Sequence, residues 1–244
     1  MRPSEDTRQQ EIFCQFLSEK GIQLSAETLG RLYDFADLVV ETKQFGNLIS
    51  PKDSEKILSR HIADSLVPYI YIRQENGPAV LQTKDERENS SSNNGLPSNN
   101  LSSLVSRLSS KRWADMGAGA GCPVFPLAIV MPEIQFYAVE PRNMRVQFMN
   151  YAKEKLQLQN LTVVGKRFET SGLSDLDFIS CRALSTFEND WERAMPGLKT
   201  GGMFLTLKSF NNIVHLENDP AVHIYKYALP QEEQVYALVT RGKE

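Results

Sequence analysis

The sequence predicts an α/β protein in which a cap of helices precedes a mainly parallel sheet that ends in an antiparallel hairpin. Over the first 73 positions, apolar residues recur every three or four residues, a spacing typical of amphipathic helices. From Lys111 onward, short apolar runs rich in β-branched and aromatic residues alternate with helical segments, as in a parallel sheet. Near the end, two alternating runs flank the short turn PQEE, which indicates an antiparallel hairpin.

Three helices are predicted in the cap, at about 6–20, 26–43 and 54–73. Ser25 and Asp53 precede the second and third helices, where a side-chain oxygen can accept a hydrogen bond from a free backbone amide. We therefore assign residues 1–73 to an N-terminal helical cap.

Residues 74–110 differ from both flanks. Their stretch KDERENSSSNNGLPSNN contains almost nothing that a core could bury, so we expect a mobile, low-complexity insertion there. The remaining 111–244 form the main domain. Its predicted strands are RWADM, IQFYAVE, LTVVG, DFISCR, MFLTLK, VHIYKYAL and QVYALVT, with helices at CPVFPLAIVM, at 143–158 and near 186–196.

The composition restricts the class of protein. With 41% hydrophobic residues, 23% charged residues and a net charge of −3, the chain can bury a full core but is not broadly basic. Only 111–182 has an excess of basic residues, which fits either an anionic ligand or an ordinary solvated surface. No long apolar window or hydrophobic signal core is evident, so we expect a cytoplasmic protein.

The cysteines indicate neither a disulfide framework nor a zinc site. Cys14, Cys122 and Cys181 lie far apart, and no CxxC pair occurs, whereas such frameworks use paired or clustered cysteines. We expect reduced, buried thiols and no metal site.

A glycine loop between the first strand and the following helix carries the cofactor argument. Gly117, Gly119 and Gly121 alternate there, and Asp115 lies two positions before the first of them. The spacing G-x-G-x-G lacks the G-x-G-x-x-G phosphate clamp of dinucleotide enzymes. S-adenosylmethionine has no phosphates, and a carboxylate near its methionine ammonium is chemically sensible. Glycine used only for the turn is the alternative, but three glycines at a strand-to-helix turn favour a ligand.

Glu140 ends the second strand of the main domain. It follows the apolar run FYAV about twenty residues after the glycine loop, where a carboxylate accepts hydrogen bonds from ribose hydroxyls. An exposed glutamate at a strand end is the alternative.

Five motifs resemble the ribosomal RNA small subunit methyltransferase G family, also called glucose-inhibited division protein B. In order, they are NLIS at 47–50, RHIADSL at 60–66, DMGAGAGCPVFPLAI at 115–129, CRALSTF at 181–187 and LK at 207–208. The most specific marker is the Pro-x-x-Pro-Leu-Ala-Ile run directly after the glycine loop. Val124, Pro141, Ser209 and Gln234 depart from the family pattern, as does the insertion.

The resemblance implies a Rossmann-like class I methyltransferase sheet and formation of 7-methylguanosine in small-subunit ribosomal RNA. It also implies S-adenosyl-L-methionine as cofactor and a ribosomal particle or precursor as partner. Carried over by position, it implies that Gly117 and Cys122 contact the cofactor, that Phe168 and Glu169 flank its adenine, and that Arg182 completes the site. A core phenylalanine and a helix-capping glutamate are the ordinary alternatives for Phe168 and Glu169.

Ring nitrogen 7 of guanine carries no proton, so the reaction needs no general base and we expect no catalytic side chain of that kind. Arg60, His61 and Asp64 share one side of a helix, which invites a catalytic role, but we favour a structural or RNA-contacting role for all three. In the structural role, an ion pair between Arg60 and Asp64 is expected, and His61 caps or packs. Asn47 either holds a turn or touches the substrate. Further candidates for RNA contact are cations expected near strand ends: Arg142, Arg145, Lys166, Arg167, Arg182 and Lys208.

Three other functions remain open from the residues alone. One is a methyltransferase of the same fold that acts on a small molecule or a protein, which the acidic balance favours. A nicotinamide-dependent oxidoreductase is disfavoured by the loop spacing. A non-catalytic ribosome-associated binder is the third.

Overall fold

The computed structural model describes residues 2–73 and 110–244. Nearly all of the expected insertion at 74–110 therefore lies outside the described residues. No helix of the two described ranges is long and apolar enough to span a membrane.

The cap begins with two amphipathic helices, α1 (Thr7–Glu19) and α2 (Ala26–Glu41). The Asp6 carboxylate accepts a hydrogen bond from the Gln9 amide at the start of α1, and Ser25 caps α2 as predicted. Both helices bury apolar residues at three- and four-residue spacing against the rest of the chain.

The third predicted helix is broken into short pieces. It consists of α3 (Pro51–Ser54), a π-helical turn (Ile57–Ile62), α4 (Ala63–Ser65) and α5 (Val67–Arg73). The prediction of an Asp53 cap is wrong, because Ser50 accepts the hydrogen bond from the Asp53 amide and caps α3. Pro51 explains the earlier start, since a proline at the first helical position needs no amide partner.

A seven-stranded sheet forms the main domain, in the order β3-β2-β1-β4-β5-β7-β6. β1 to β5 are parallel, and β7 is antiparallel to both β5 and β6. This confirms the predicted parallel sheet with a terminal hairpin. The strands are β1 (Arg112–Met116), β2 (Gln135–Val139), β3 (Leu161–Val164), β4 (Leu176–Arg182), β5 (Leu198–Ser209), β6 (His223–Ala228) and β7 (Val235–Gly242).

Three helices connect the strands: α6 (Val124–Val130), α7 (Asn143–Lys155) and α8 (Phe187–Ala194). The order of the strands reverses at β1, because β2 and β3 are added on one side of it and β4 and β5 on the other. In open α/β sheets, ligands bind at the carboxyl ends of the strands beside such a reversal. The glycine loop lies there because it directly follows β1.

The helical cap and the sheet share one hydrophobic core. Phe35 of α2 stacks on Phe125 of α6, with ring centroids 4.9 Å apart. Arg31 of α2 donates to the Leu156 carbonyl at the end of α7, with 2.9 Å between nitrogen and oxygen. On the opposite face of the sheet, α8 covers a second core cluster, so both faces are buried as a parallel sheet requires.

The cysteine prediction is right for two of the three thiols. Cys122 and Cys181 are buried, and none of the three cysteines forms a disulfide. Cys14 is exposed instead. Its position in α1 places it on the solvent side of an amphipathic helix whose Phe13, Phe16 and Leu17 face the core.

Candidate functional site

The glycine loop has a backbone that side chains would disrupt. Gly117, Gly119 and Gly121 have φ of +75°, +58° and +89°, where residues with a Cβ are strained. A Cβ on Gly117 would lie 2.8 Å from Leu184 Cδ1, and one on Gly121 would lie 2.5 Å from the Phe125 ring. Gly119 differs, because its Cβ would meet only the Gly117 carbonyl oxygen at 3.8 Å. Its open side is therefore free to receive a ligand.

Glu140 lies directly after β2 and holds this loop in place. Its side chain is almost completely buried, and its Oε2 accepts a hydrogen bond from the Gly119 amide at 2.9 Å. The Arg142 backbone amide and guanidinium donate to the same carboxylate. Burial alone would raise the pKa of Glu140, but these hydrogen bonds outweigh it and hold the pKa below its ordinary value. Glu140 is therefore an ionised acceptor beside the loop.

Asp115 lies inside the sheet below the loop. Its Oδ1 accepts a hydrogen bond from the Ser180 hydroxyl at 2.8 Å, and that hydroxyl also accepts one from the Trp113 indole at 3.0 Å. Asp115 Oδ2 is buried and has no partner among the described residues. Burial raises the pKa of Asp115 to about 7. This unpaired oxygen is the kind of acceptor that a cationic group of a ligand would satisfy.

Arg182 connects the loop side of the site with the cap. Its Nη1 lies 3.3 Å from Asp64 Oδ2, and Tyr227 donates its hydroxyl hydrogen to Asp64 Oδ1. The expected ion pair between Arg60 and Asp64 is therefore wrong. Arg60 instead pairs with Asp53 at 2.9 Å, because Asp64 faces the interior, where the sheet supplies its partners.

His61, Tyr236 and the Arg60–Asp53 pair form a second polar group, which we call the cap-side cluster. His61 Nε2 is buried, lies 3.6 Å from Asp53 Oδ1 and makes no hydrogen bond within the described residues. Burial, assisted by the charge of Arg182, lowers the pKa of His61 to about 4, so its imidazole is neutral at physiological pH. The Tyr236 hydroxyl is likewise buried, and it lies beside the Arg60 side chain.

Sequence reasoning missed Tyr236. It is the second residue of β7 and pairs with Ser209, at the carboxyl end of β5. The antiparallel hairpin thus returns the chain to the sheet edge that holds the glycine loop. Two positions that depart from the family pattern also meet there, since the Gln234 side chain donates to the Ser209 hydroxyl. The predicted hairpin was the available signal for this placement.

Phe168 and Glu169 follow β3 in a short 3-10 turn. Phe168 is buried in the core of the α8 face, where its ring lies against Gly197. Glu169 forms an ion pair with Arg193. Both side chains therefore have intramolecular partners. For Phe168 this is the core position given above as its ordinary alternative. Cys122 is buried beside the loop, and burial raises the pKa of its thiol.

The candidate RNA contacts differ in how far their side chains are exposed. Asn47, Lys166 and Arg167 are exposed, and the Asn47 carbonyl accepts a hydrogen bond from Arg145 Nη2 at 2.9 Å. Lys208 is different, because its side chain is 4% exposed and pairs with the fully buried Asp190 at 2.8 Å. It is enclosed in the core rather than displayed at the strand end, and this argues against a direct contact with RNA.

The comparison with known families agrees with these observations. The model of the GidB family, described as rRNA small subunit methyltransferase G, matches residues 96–236, more than half of the 244 residues. The chain belongs to this family. As a member of the rRNA small subunit methyltransferase G family, it is an S-adenosylmethionine-dependent methyltransferase of small-subunit ribosomal RNA. The predicted family, fold, enzyme class and cofactor are confirmed.

Curated relatives extend the match beyond the main domain. Ribosomal RNA small subunit methyltransferase G of Macrococcus caseolyticus is 26% identical over 236 residues, which cover 91% of this chain and 85% of the relative. The protein of the same name from Staphylococcus epidermidis is 30% identical over 197 residues, with coverages of 79% and 69%. Among solved structures, a SAM-dependent O-methyltransferase from Thermotoga maritima aligns with 70% of this chain and 77% of its own, at 17% identity and a TM-score of 0.45.

Proposed function

We propose that this protein transfers the methyl group of S-adenosylmethionine to ring nitrogen 7 of a guanine in small-subunit ribosomal RNA, presented by a cytoplasmic ribosomal particle or precursor. The observation that carries the proposal is the glycine loop and its bond to the buried Glu140. They meet at the carboxyl ends of β1 and β2, beside the reversal in strand order. The family match supplies the reaction and the class of RNA.

The residues at this edge fit the cofactor. The Gly119 backbone leaves open space in front of the loop, and the ionised Glu140 is an acceptor for ribose hydroxyls. The unpaired Asp115 Oδ2 suits the methionine ammonium group. We assign the amino-acid end of the cofactor to the loop, with Gly117, Gly121, Cys122 and Arg182 around it.

For the adenine end, we retain the turn after β3 that carries Phe168 and Glu169. Because β3 lies next to β2 and parallel to it, this turn follows the same sheet edge as Glu140. The side chains already have intramolecular partners. Backbone groups of the turn and the Phe168 ring edge are therefore the assigned contacts.

The cap-side cluster is the proposed site of the target guanine. Guanine offers acceptors at O6 and N7 and donors at N1 and N2. The cluster contains donors in Arg60 and Tyr236 and an acceptor in the Asp53 carboxylate. His61, neutral because its pKa lies at about 4, adds no positive charge beside a base that becomes cationic on methylation.

The chemistry requires alignment and exclusion of water. When bound, S-adenosylmethionine supplies an electrophilic sulfonium methyl group. Guanine N7 has a lone pair and no proton, so no residue of the chain needs to act as a base. Holding the two partners in line can lower the barrier by roughly 7–11 kcal/mol in favourable cases. The shared core of cap and sheet provides the rigidity that such alignment needs.

Exposed cations near the site would position the RNA backbone. Lys166 and Arg167 are exposed cations that follow β3, and the half-buried Arg145 donates to the carbonyl of the exposed Asn47. Phosphate contacts of this kind fix orientation without reading sequence. Extracting the guanine from its stack costs a few kcal/mol. A ribosomal particle or precursor that already presents the base removes that cost, and this supports it as the substrate of an otherwise acidic protein.

The test is methyl transfer from labelled S-adenosylmethionine to three acceptors: small subunits, precursor particles and protein-free small-subunit rRNA. We expect 7-methylguanosine at one position, with faster transfer to a particle than to free RNA. A matched reaction with small molecules and bulk protein as acceptors serves as the control. Faster labelling of the control acceptors would refute the proposed substrate, and equal rates on free RNA would refute the particle context.

A further inference from the structure

Arg142 is hydrogen-bonded to the Glu140 carboxylate, the group that we propose as the acceptor for the ribose hydroxyls of the cofactor. Its Nε lies 2.8 Å from Glu140 Oε1, and its Nη2 lies 3.2 Å from Oε2. The Arg142 backbone amide donates to Oε1, and the Gly119 amide donates to Oε2, each at 2.9 Å. Glu140 is therefore fully engaged by four hydrogen bonds from its own chain.

These four bonds are of two kinds. The two backbone amides belong to the loop and to the turn after β2, so they stay while those segments keep their conformation. The guanidinium is different, since the Arg142 side chain is 68% exposed while that of Glu140 is 1% exposed. An ionised carboxylate offers about four lone-pair directions. Two ribose hydroxyls can be accepted only if the guanidinium leaves.

A displaced Arg142 side chain would lie in a different electrostatic environment. Arg145 is on the same helical turn, and the pKa of Arg145 is lowered first by burial and then by the charge of Arg142. Without Glu140 as partner, Arg142 would add an unpaired positive charge next to Arg145. The exposed Arg167 follows β3, the strand beside β2. Such a group attracts phosphate.

We propose that Arg142 acts as a latch, by which we mean that its guanidinium couples the binding of the two substrates. In the free protein the guanidinium is bonded to Glu140. When the cofactor ribose takes over these bonds, the guanidinium is released and binds an RNA phosphate. The inference rests on the proposed function of the site. Because coupling between two ligands is reciprocal, RNA that holds Arg142 strengthens cofactor binding, and bound cofactor strengthens RNA binding. Arg142 is thus a positioning residue and not a catalytic one.

The experiment is calorimetric titration of S-adenosylhomocysteine into the full chain, with and without saturating small-subunit rRNA. The variants are Arg142→Met, which keeps an unbranched chain but removes the donors, and Arg142→Lys, which keeps the charge without the two-pronged contact. The matched control is Arg2→Met, because Arg2 also donates its Nε to a glutamate, Glu41, at 2.8 Å but lies in the cap. Arg2→Met is expected to leave both affinities unchanged.

Without RNA, we expect Arg142→Met to bind S-adenosylhomocysteine roughly 1.4-fold to fivefold more tightly than the wild type, the range for loss of one competing ion pair. Arg142→Lys should be intermediate. Added rRNA should tighten binding to the wild type and leave binding to Arg142→Met unchanged. An affinity of Arg142→Met equal to or weaker than that of the wild type overturns the latch. The latch is also overturned if rRNA tightens S-adenosylhomocysteine binding to Arg142→Met as much as it tightens binding to the wild type. A wild type that binds no S-adenosylhomocysteine contradicts the proposed function itself.

Discussion

Gly119→Ala tests whether the open side of the glycine loop is the cofactor site. The new methyl group would meet only the Gly117 carbonyl oxygen at 3.8 Å, an ordinary contact. The substitution therefore creates no internal clash, and its direct structural cost is backbone strain at φ of +58°. Gly172→Ala is the matched control, since Gly172 has φ of +78° and no atom within 4 Å of an added Cβ.

The two variants should lose similar free energies of unfolding, but they should differ strongly in cofactor binding and methyl transfer. A residue with a side chain in the left-handed region costs about 1–2 kcal/mol. Carbon atoms pack at about 3.5–4.0 Å, so a cofactor lying against the Gly119 backbone would be displaced by the new methyl group. A displacement of about 1 Å can lower the rate by about a hundredfold. We expect this loss for Gly119→Ala only.

The assay combines urea unfolding, calorimetric binding of S-adenosylhomocysteine and methyl transfer to small subunits. Matched unfolding free energies for the two variants would establish that strain is equal. Wild-type cofactor affinity in Gly119→Ala would refute the placement of the cofactor against this loop. An equal loss of affinity in Gly172→Ala would also refute it, because strain alone would then explain the effect.

Three further predictions concern buried charges. Lys208→Met should lower the free energy of unfolding by about 3–5 kcal/mol, because it leaves the buried Asp190 carboxylate without its cation; urea unfolding checks this, and unchanged stability with lost RNA affinity would instead make Lys208 an RNA contact. Glu140→Gln should weaken S-adenosylhomocysteine binding about tenfold to a hundredfold, as expected for hydrogen bonds to a charged acceptor, and calorimetry that detects no change would contradict its role at the ribose. Because burial raises the pKa of Asp115 to about 7, the folded chain binds more protons than the unfolded chain between about pH 4 and 7. The free energy of unfolding contributed by this group should therefore fall as pH rises through that window, and Asp115→Asn should flatten the urea midpoints measured from pH 5 to pH 8; an unchanged slope would contradict the assignment.

Patterns in the sequence predicted the sheet and the glycine loop because both depend on local properties. Apolar alternation marked each strand, and the turn PQEE indicated the hairpin that β6 and β7 form. The three glycines marked a backbone with positive φ, which the structure has at each of them. Glu140 was found from its distance along the chain to that loop.

Two of the errors involve partners that are distant in sequence. The helical spacing of Arg60 and Asp64 predicted an ion pair, but Asp64 bonds to Arg182 and Tyr227 of the sheet. Lys208 was expected to be available for contact with RNA because it lies near a strand end. Its partner Asp190 lies on α8 across the sheet face, and no periodicity of β5 indicates that contact.

The sequence by itself determined the family, the order of elements and the position of the glycine loop. The family was indicated by the resemblance of five motifs, whereas the order of elements follows from residue periodicity and the loop from conformations that only glycine adopts readily. Only the tertiary structure decided which polar groups meet: Arg142 pairs with Glu140, Lys208 is enclosed with Asp190, and the hydroxyl of Tyr236 is buried near Arg60. The physical reason is that burial makes an unpaired charge costly, so each side chain takes the partner that packing brings to it, wherever that partner lies in the chain.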